Sequence, residues 1–162
     1  MSTFFQARKK WILIAGVPVI IALWWAFRPE KLWINQRVDE PAPFASAGDS
    51  QPLYTGTLEG KVHQTSGRAT VYKRSDGTEY LRLTNFSTSN GPDVHVVLAK
   101  ETNATGQNGV DQNHVELGPL KGNQSDQNYD LPPSVDLTQY TAAVIYCERF
   151  HAVFGAAELE PF

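Results

Sequence analysis

The chemistry this chain could perform centres on Cys147, Arg149 and His151, with His95 further upstream. Cys147 is the only cysteine, so an intramolecular disulfide, a Cys-x-x-Cys redox pair and a Cys-x-x-Cys-His haem attachment are all closed to it. It ends the apolar run Ala142-Ala143-Val144-Ile145-Tyr146, and in strand alternation it shares a face with Ala143 and Ile145. A lone thiol there has a bland role and a reactive one. It can be a small buried hydrophobe, since free cysteines are among the most buried residues. It can also be a redox thiol, with Arg149 stabilising a thiolate and His151 reaching it if the chain turns. Cys147-x-x-x-His151 with His95 in an upstream strand also has the make-up of a blue-copper site, a thiolate and two imidazoles. Met1 is the only methionine, so the weak axial ligand of such a site would have to be a Gln or a carbonyl. Taken singly, His95 and His151 are more often hydrogen-bonded structural histidines than ligands. His63 and His114 lie in polar surroundings and give no signal.

Other motifs fail on spacing. Gly56-Thr57-Leu58-Glu59-Gly60-Lys61 is one residue short of a phosphate loop and is followed by Val62 where a Ser or Thr is needed. No Gly-x-Ser-x-Gly elbow and no His-Glu-x-x-His pair occurs. The polar stretch from Asn103 to Asn113 lacks the ligand spacing and terminal Glu of a calcium loop. Asn85-Phe86-Ser87, Asn103-Ala104-Thr105 and Asn123-Gln124-Ser125 fit the glycosylation sequon, which matters only in a eukaryotic host.

The elements that must position Cys147 follow from pattern. Trp11 to Phe27 reads WILIAGVPVIIALWWAF, without a charge, and predicts a transmembrane helix in contact with the lipid bilayer. Trp24, Trp25 and Trp33 suit its interface, and Pro18 is expected only to kink it. Arg8, Lys9 and Lys10 precede it, while Arg28 and Lys31 on the far side are fewer and partly offset by Glu30, so residues 1–10 are expected in the cytoplasm and the rest outside. Trp24, Trp25 and Phe27 stand where signal peptidase needs small residues, which favours an uncleaved anchor over a signal peptide. Residues 28–54 mix Pro, Ala, Ser, Gly and charge and read as a juxtamembrane segment and stalk.

Residues 55–162 then form one β-rich domain. Short apolar runs at Thr57 to His63, Ala69 to Lys73, Tyr80 to Thr84, Val94 to Leu98, Val115 to Leu117 and Ala142 to Cys147 predict strands of a sandwich or barrel. Asp76-Gly77 predicts a tight hairpin and Asn90-Gly91-Pro92-Asp93 a second turn, with long polar loops at Lys100 to Asn113 and Lys121 to Asp130. The formal charge is −3, and the basic residues concentrate at the N-terminal end. The β-rich part is therefore acidic and unsuited to nucleic acid.

Several stretches, in order, resemble one known pattern: Thr65 to Tyr72, Leu81 to Phe86, Asn90 to Leu98, Leu117 to Gln124, Gln127 to Pro132, and Tyr146 to Ala157 with its Tyr146-Cys147-Glu148-Arg149-Phe150 core. Together they resemble the DM-thirteen domain, found in the Skeletor-type cell-surface proteins of animals and in many bacterial membrane proteins. The resemblance implies a small antiparallel β-sandwich related to cytochrome-like extracellular domains, with a role in electron transfer. It also implies that Cys147 acts either as a naked thiol or as a ligand to a prosthetic group such as haem; His151, four residues on, is a further candidate ligand by its spacing. Ser125-Asp126 departs from the pattern where relatives often carry a glycine. Two functions follow: a membrane-anchored, extracytoplasmic redox or electron-transfer domain acting through Cys147 on a partner protein, or a cell-surface binding or adhesion module in which Cys147 is structural. Neither is a self-contained enzyme.

Overall fold

The computed structural model describes residues 16–25, 34–43, 50–100, 110 and 114–162, which divide into two units at Ile34/Asn35. In the first unit, residues 16–25 are helical, and Val17, Val19, Ile20, Ile21, Leu23, Trp24 and Trp25 all stand half exposed or more. No described helix is long and apolar enough to cross a membrane. The remaining positions of the expected anchor, 11–15, 26 and 27, lie outside the described residues, as do the expected cytoplasmic segment 1–10 and most of the loop 100–113.

The second unit is two five-stranded antiparallel sheets. One has the order β10-β1-β3-β4-β7 and the other β2-β9-β8-β5-β6. The strands are β1 (Ser50–Thr57), β2 (Glu59–Gly60), β3 (Thr65–Arg74), β4 (Glu79–Thr88), β5 (Val94–Ala99), β6 (Val115–Pro119), β7 (Gln127–Asp130), β8 (Ala142–Cys147), β9 (Ala152–Glu158) and β10 (Glu160–Pro161). Alternate residues explain the packing. Val71, Leu81 and Leu83 of the first sheet and Val94, Val96, Leu98, Ala143, Ile145 and Cys147 of the second belong to one buried cluster, which fills the sandwich. On the opposite face of the second sheet, Val97, Ala99, Ala142, Val144, Tyr146, Val153 and Ala156 form a second buried cluster with Val110.

The expected hairpin forms between β3 and β4. Gly77 takes φ +87°, its N–H donates to Arg74 O at 2.9 Å, and the Asp76 carboxylate accepts from the Thr78 N–H at 2.8 Å. On the outer face beside it, the cross-strand pair Tyr72 and Tyr80 stacks at 5.3 Å, with the Arg74 guanidinium over Tyr80.

Two expectations need correction. Residues 28–54 are not simply a stalk: β1 starts at Ser50, and residues 35–41 are hydrogen-bonded onto the first sheet and the loop before β7. The Val38 N–H donates to Gln124 O and the Glu40 N–H to Asp126 O. The Glu40 carboxylate accepts from Lys121 Nζ at 2.8 Å and from the Asn128 N–H at 2.7 Å, while the Glu40 carbonyl accepts from Arg82. Buried Arg82 also donates to Asn128 Oδ1 and pairs with Asp126 at 2.7 Å, so its charge is satisfied on every side. This attachment uses backbone and polar groups, which leave no apolar period. The second correction is β7, which arises inside the stretch expected to be loop. It is held by fully buried Gln127, whose amide bonds to both backbone groups of Gly122.

Candidate functional site

Strand β8 lies between β5 and β9, so its backbone is paired on both sides and its side chains alternate between two enclosed faces. Cys147 is its last residue, directly opposite Val94 of β5 and Ala152 of β9, with its side chain in the sandwich cluster at 0 % exposure. The sulfur is therefore inside the fold and not at a rim. Tyr146, one residue earlier, points to the other face and lies opposite His95. The β8–β9 turn holds Glu148, Arg149, Phe150 and His151. The Glu148 N–H donates to Asp93 O at 3.0 Å, and the His151 N–H donates to Glu148 O at 3.3 Å. His151 sits at φ +49°, an uncommon conformation for a residue with a Cβ. Its ring folds back so that Nδ1 is hydrogen-bonded to the Tyr146 hydroxyl at 2.9 Å. Burial holds the Tyr146 phenol above its ordinary pKa, with the charge of Glu148 adding to the effect.

Arg149 is exposed on this turn, and no hydrogen bond or ion pair among the described residues joins it to Cys147. His95 projects from the face opposite the sulfur, because its neighbour Val94, not His95 itself, is the partner of Cys147. Its ring is held by carboxylates at both nitrogens: Nδ1 bonds to Glu116 Oε1, and Nε2 lies 3.2 Å from Asp93 Oδ1. Burial alone would depress the His95 pKa, but the hydrogen bonds to Glu116 and Asp93 prevail and raise it.

Neither expected cofactor fits Cys147. The copper trio of His95, Cys147 and His151 is divided by the sheet: the sulfur faces inward, His95 faces outward, and His151 Nδ1 is engaged by Tyr146. A haem needs a cavity of about 300–1,000 Å3 at its ligand. Among the described residues, cavities at Gly60 to Ser66, at Thr55 to Arg68 and at Leu53 with Val135, of about 580, 300 and 310 Å3, are lined by residues other than Cys147, and the sulfur has no exposed surface.

The structure gathers residues that motif searching passed over. Asp93, His95 and Glu148 bring one ligand atom each to within 4.8 Å of one another, and His114, Glu116 and Glu148 do the same. The available signal was the spacing Asp93-x-His95 and Glu116 two residues after His114, which in extended chain puts each pair on one face. The ring of His114 also lies 6.3 Å from that of Tyr146.

A protein-family model described as Electron transfer DM13 matches residues 57–159, well over half of the chain. No curated protein and no solved structure matches it.

Proposed function

This chain belongs to the Electron transfer DM13 family, and from that membership we propose that its sandwich passes electrons outside the cytoplasm, with Cys147 as a shielded redox centre. The observation that supports this reading is the two-sided end of β8. Cys147 is wholly enclosed at 0 % exposure, while adjacent Tyr146 places a hydrogen-bonded phenol and imidazole on the opposite face. Thiol–disulfide exchange needs direct attack at sulfur, which this enclosure blocks. Transfer of one electron from the thiol to an oxidising partner protein needs no such contact; it leaves a thiyl radical and releases the thiol proton to solvent.

A segment at residues 11–27 is proposed to hold the sandwich at a membrane. The uncharged run there, the preceding Arg8, Lys9 and Lys10, and the outward apolar side chains of helix 16–25 support this placement. A reporter fused after Phe162 should be active only if it functions outside the cytoplasm; activity of a strictly cytoplasmic reporter would refute it.

The second reading is a binding or adhesion module with a structural cysteine, and the same enclosure of Cys147 in the core favours it. Voltammetry of the purified full chain, wild type against Cys147→Ser, separates the two. A redox wave lost in the variant supports the electron-transfer role. A wave equal in both proteins refutes a role for Cys147 and puts the redox centre elsewhere in the chain, while no wave from wild type leaves the binding module.

A further inference from the structure

We propose that the outer face of the second sheet carries a site for one divalent transition-metal ion of the zinc and copper class, held by His95 Nε2 and the carboxylates of Asp93 and Glu148. The proposal stands apart from the role of Cys147, whose sulfur lies on the other side of the sheet.

The three ligands gather where two paired strands begin and end: Asp93 just precedes β5, His95 lies in it, and Glu148 just follows β8. Asp93 and His95 flank Val94, the partner of Cys147 in the β5–β8 ladder, and Glu148 follows Cys147 directly. The hydrogen bond from the Glu148 N–H to Asp93 O fixes the backbone spacing between the two sides at 3.0 Å. Their ligand atoms lie within 4.8 Å of one another. The 3.2 Å contact between His95 Nε2 and Asp93 Oδ1 is a hydrogen bond without the ion, and it already holds the two atoms at the spacing of neighbouring ligands, since bonds of about 2.0–2.1 Å put donors about 3.0–3.4 Å apart.

Two further observations point to a cation. The first is the hydrogen bond between His95 Nδ1 and Glu116. Metal-bound histidines almost always donate their second ring N–H to a carboxylate, which fixes the tautomer and aims the free nitrogen. Glu116 does this to His95, leaving Nε2 toward Asp93 and Glu148. The second is charge. Asp93, Glu116 and Glu148 converge on one patch, where among the described residues no Lys or Arg pairs with them and the His95 ring, shared between Asp93 and Glu116, is their ion-pair partner. Three carboxylates held this close repel one another, and a divalent ion offsets that repulsion.

The donor set selects the ion. An imidazole with carboxylates suits zinc, copper and their neighbours, whereas magnesium and calcium prefer shells made of oxygen. A further position is within reach of His114, whose ligand atom lies within 4.8 Å of that of Glu148. A ligand on a strand and two directly beside strand ends give a more rigid site than ligands on a long loop.

The test is a calorimetric titration of the full chain, purified in detergent and stripped with EDTA, with Zn2+ and separately with Cu2+. One equivalent should bind. Asp93→Asn and Glu148→Gln should each weaken binding by about tenfold or more, and Glu116→Ala by about 10–100-fold through loss of the orienting hydrogen bond. Cys147→Ala should bind as wild type does. Glu148 is exposed, so Glu148→Gln is expected to fold, and a thermal melt verifies this for every variant. No stoichiometric binding of either ion at several-fold excess would overturn the proposal. So would binding that survives Asp93→Asn combined with Glu148→Gln, or binding that Cys147→Ala abolishes.

Discussion

Replacing Cys147 by serine exchanges a sulfur for an oxygen of similar size, so the result depends on whether the site can hydrate or bond a hydroxyl. It should do neither. The position is 0 % exposed, and the neighbouring backbone carbonyls of β5, β8 and β9 are committed to a ladder on both sides of β8. A hydroxyl buried without a partner costs about 1–3 kcal/mol on mutational scales. Some apolar transfer energy of the sulfur is lost as well, so Cys147→Ser should destabilise the sandwich by about 2–3 kcal/mol. Cys147→Ala leaves a small void but buries no polar group, and should cost about 1–2 kcal/mol. The order, serine worse than alanine, is the diagnostic feature. At about 4 °C per kcal/mol for a domain of this size, thermal melts should resolve the two variants. Alkylation of wild type under native conditions should proceed only through opening of the fold, and so at a small fraction of the rate in denaturant. A serine variant as stable as wild type, or a native thiol that reacts as fast as an unfolded one, would show that solvent reaches the sulfur and that the enclosure is wrong.

Gly67 sits at φ +125°, and a Cβ there would lie 2.8 Å from Phe86 Cα and 2.9 Å from Thr84 O, so Gly67→Ala should cost about 2–4 kcal/mol in chemical denaturation, and a loss within experimental error would contradict the β3–β4 bulge geometry. Burial pushes the Glu40 carboxyl up, but the hydrogen bonds from Lys121 and the Asn128 N–H prevail and hold it below its ordinary pKa. Its stabilising effect is thus complete above the unfolded carboxylate pKa and fades as pH falls through the lower folded value. Glu40→Gln should flatten this acid limb of a stability-against-pH curve, and an unchanged limb would deny the attachment a role. For the same reason a fragment of residues 35–162 should melt above one of residues 50–162, which keeps all of β1, and equal melting temperatures would mean that residues 35–41 contribute nothing.

What the sequence disclosed followed from side-chain pattern. The run Ala142 to Cys147 becomes β8 with the predicted ends, and Cys147 shares its face with Ala143 and Ile145 because alternation is a local property. Asp76-Gly77 likewise fixed its hairpin through backbone preference alone. The separation of His95 from Cys147 was not legible, since it depends on pairing Val94 with Cys147, a register between strands distant in sequence. The same holds for the convergence of Asp93, His95, Glu116 and Glu148, where only the spacing within each pair was visible. β7 and residues 35–41 were hidden for another reason: Gln127, Arg82 and Glu40 hold them by hydrogen bonds, and polar composition in isolation looks the same as a solvated loop.

The borders of the two sheets bear on how densely such domains can be crowded together. An open strand edge is a template on which a neighbouring chain can extend a sheet into a fibre. Here the outermost strands are β10 and β7 in one sheet and β2 and β6 in the other. β2 and β10 have two residues each and β10 contains Pro161, β7 has four with its Asn128 N–H taken by the Glu40 carboxylate, and β6 has five and ends in Pro119. None offers a long run of free donors and acceptors, so copies held at high local density should stay separate instead of polymerising edge to edge.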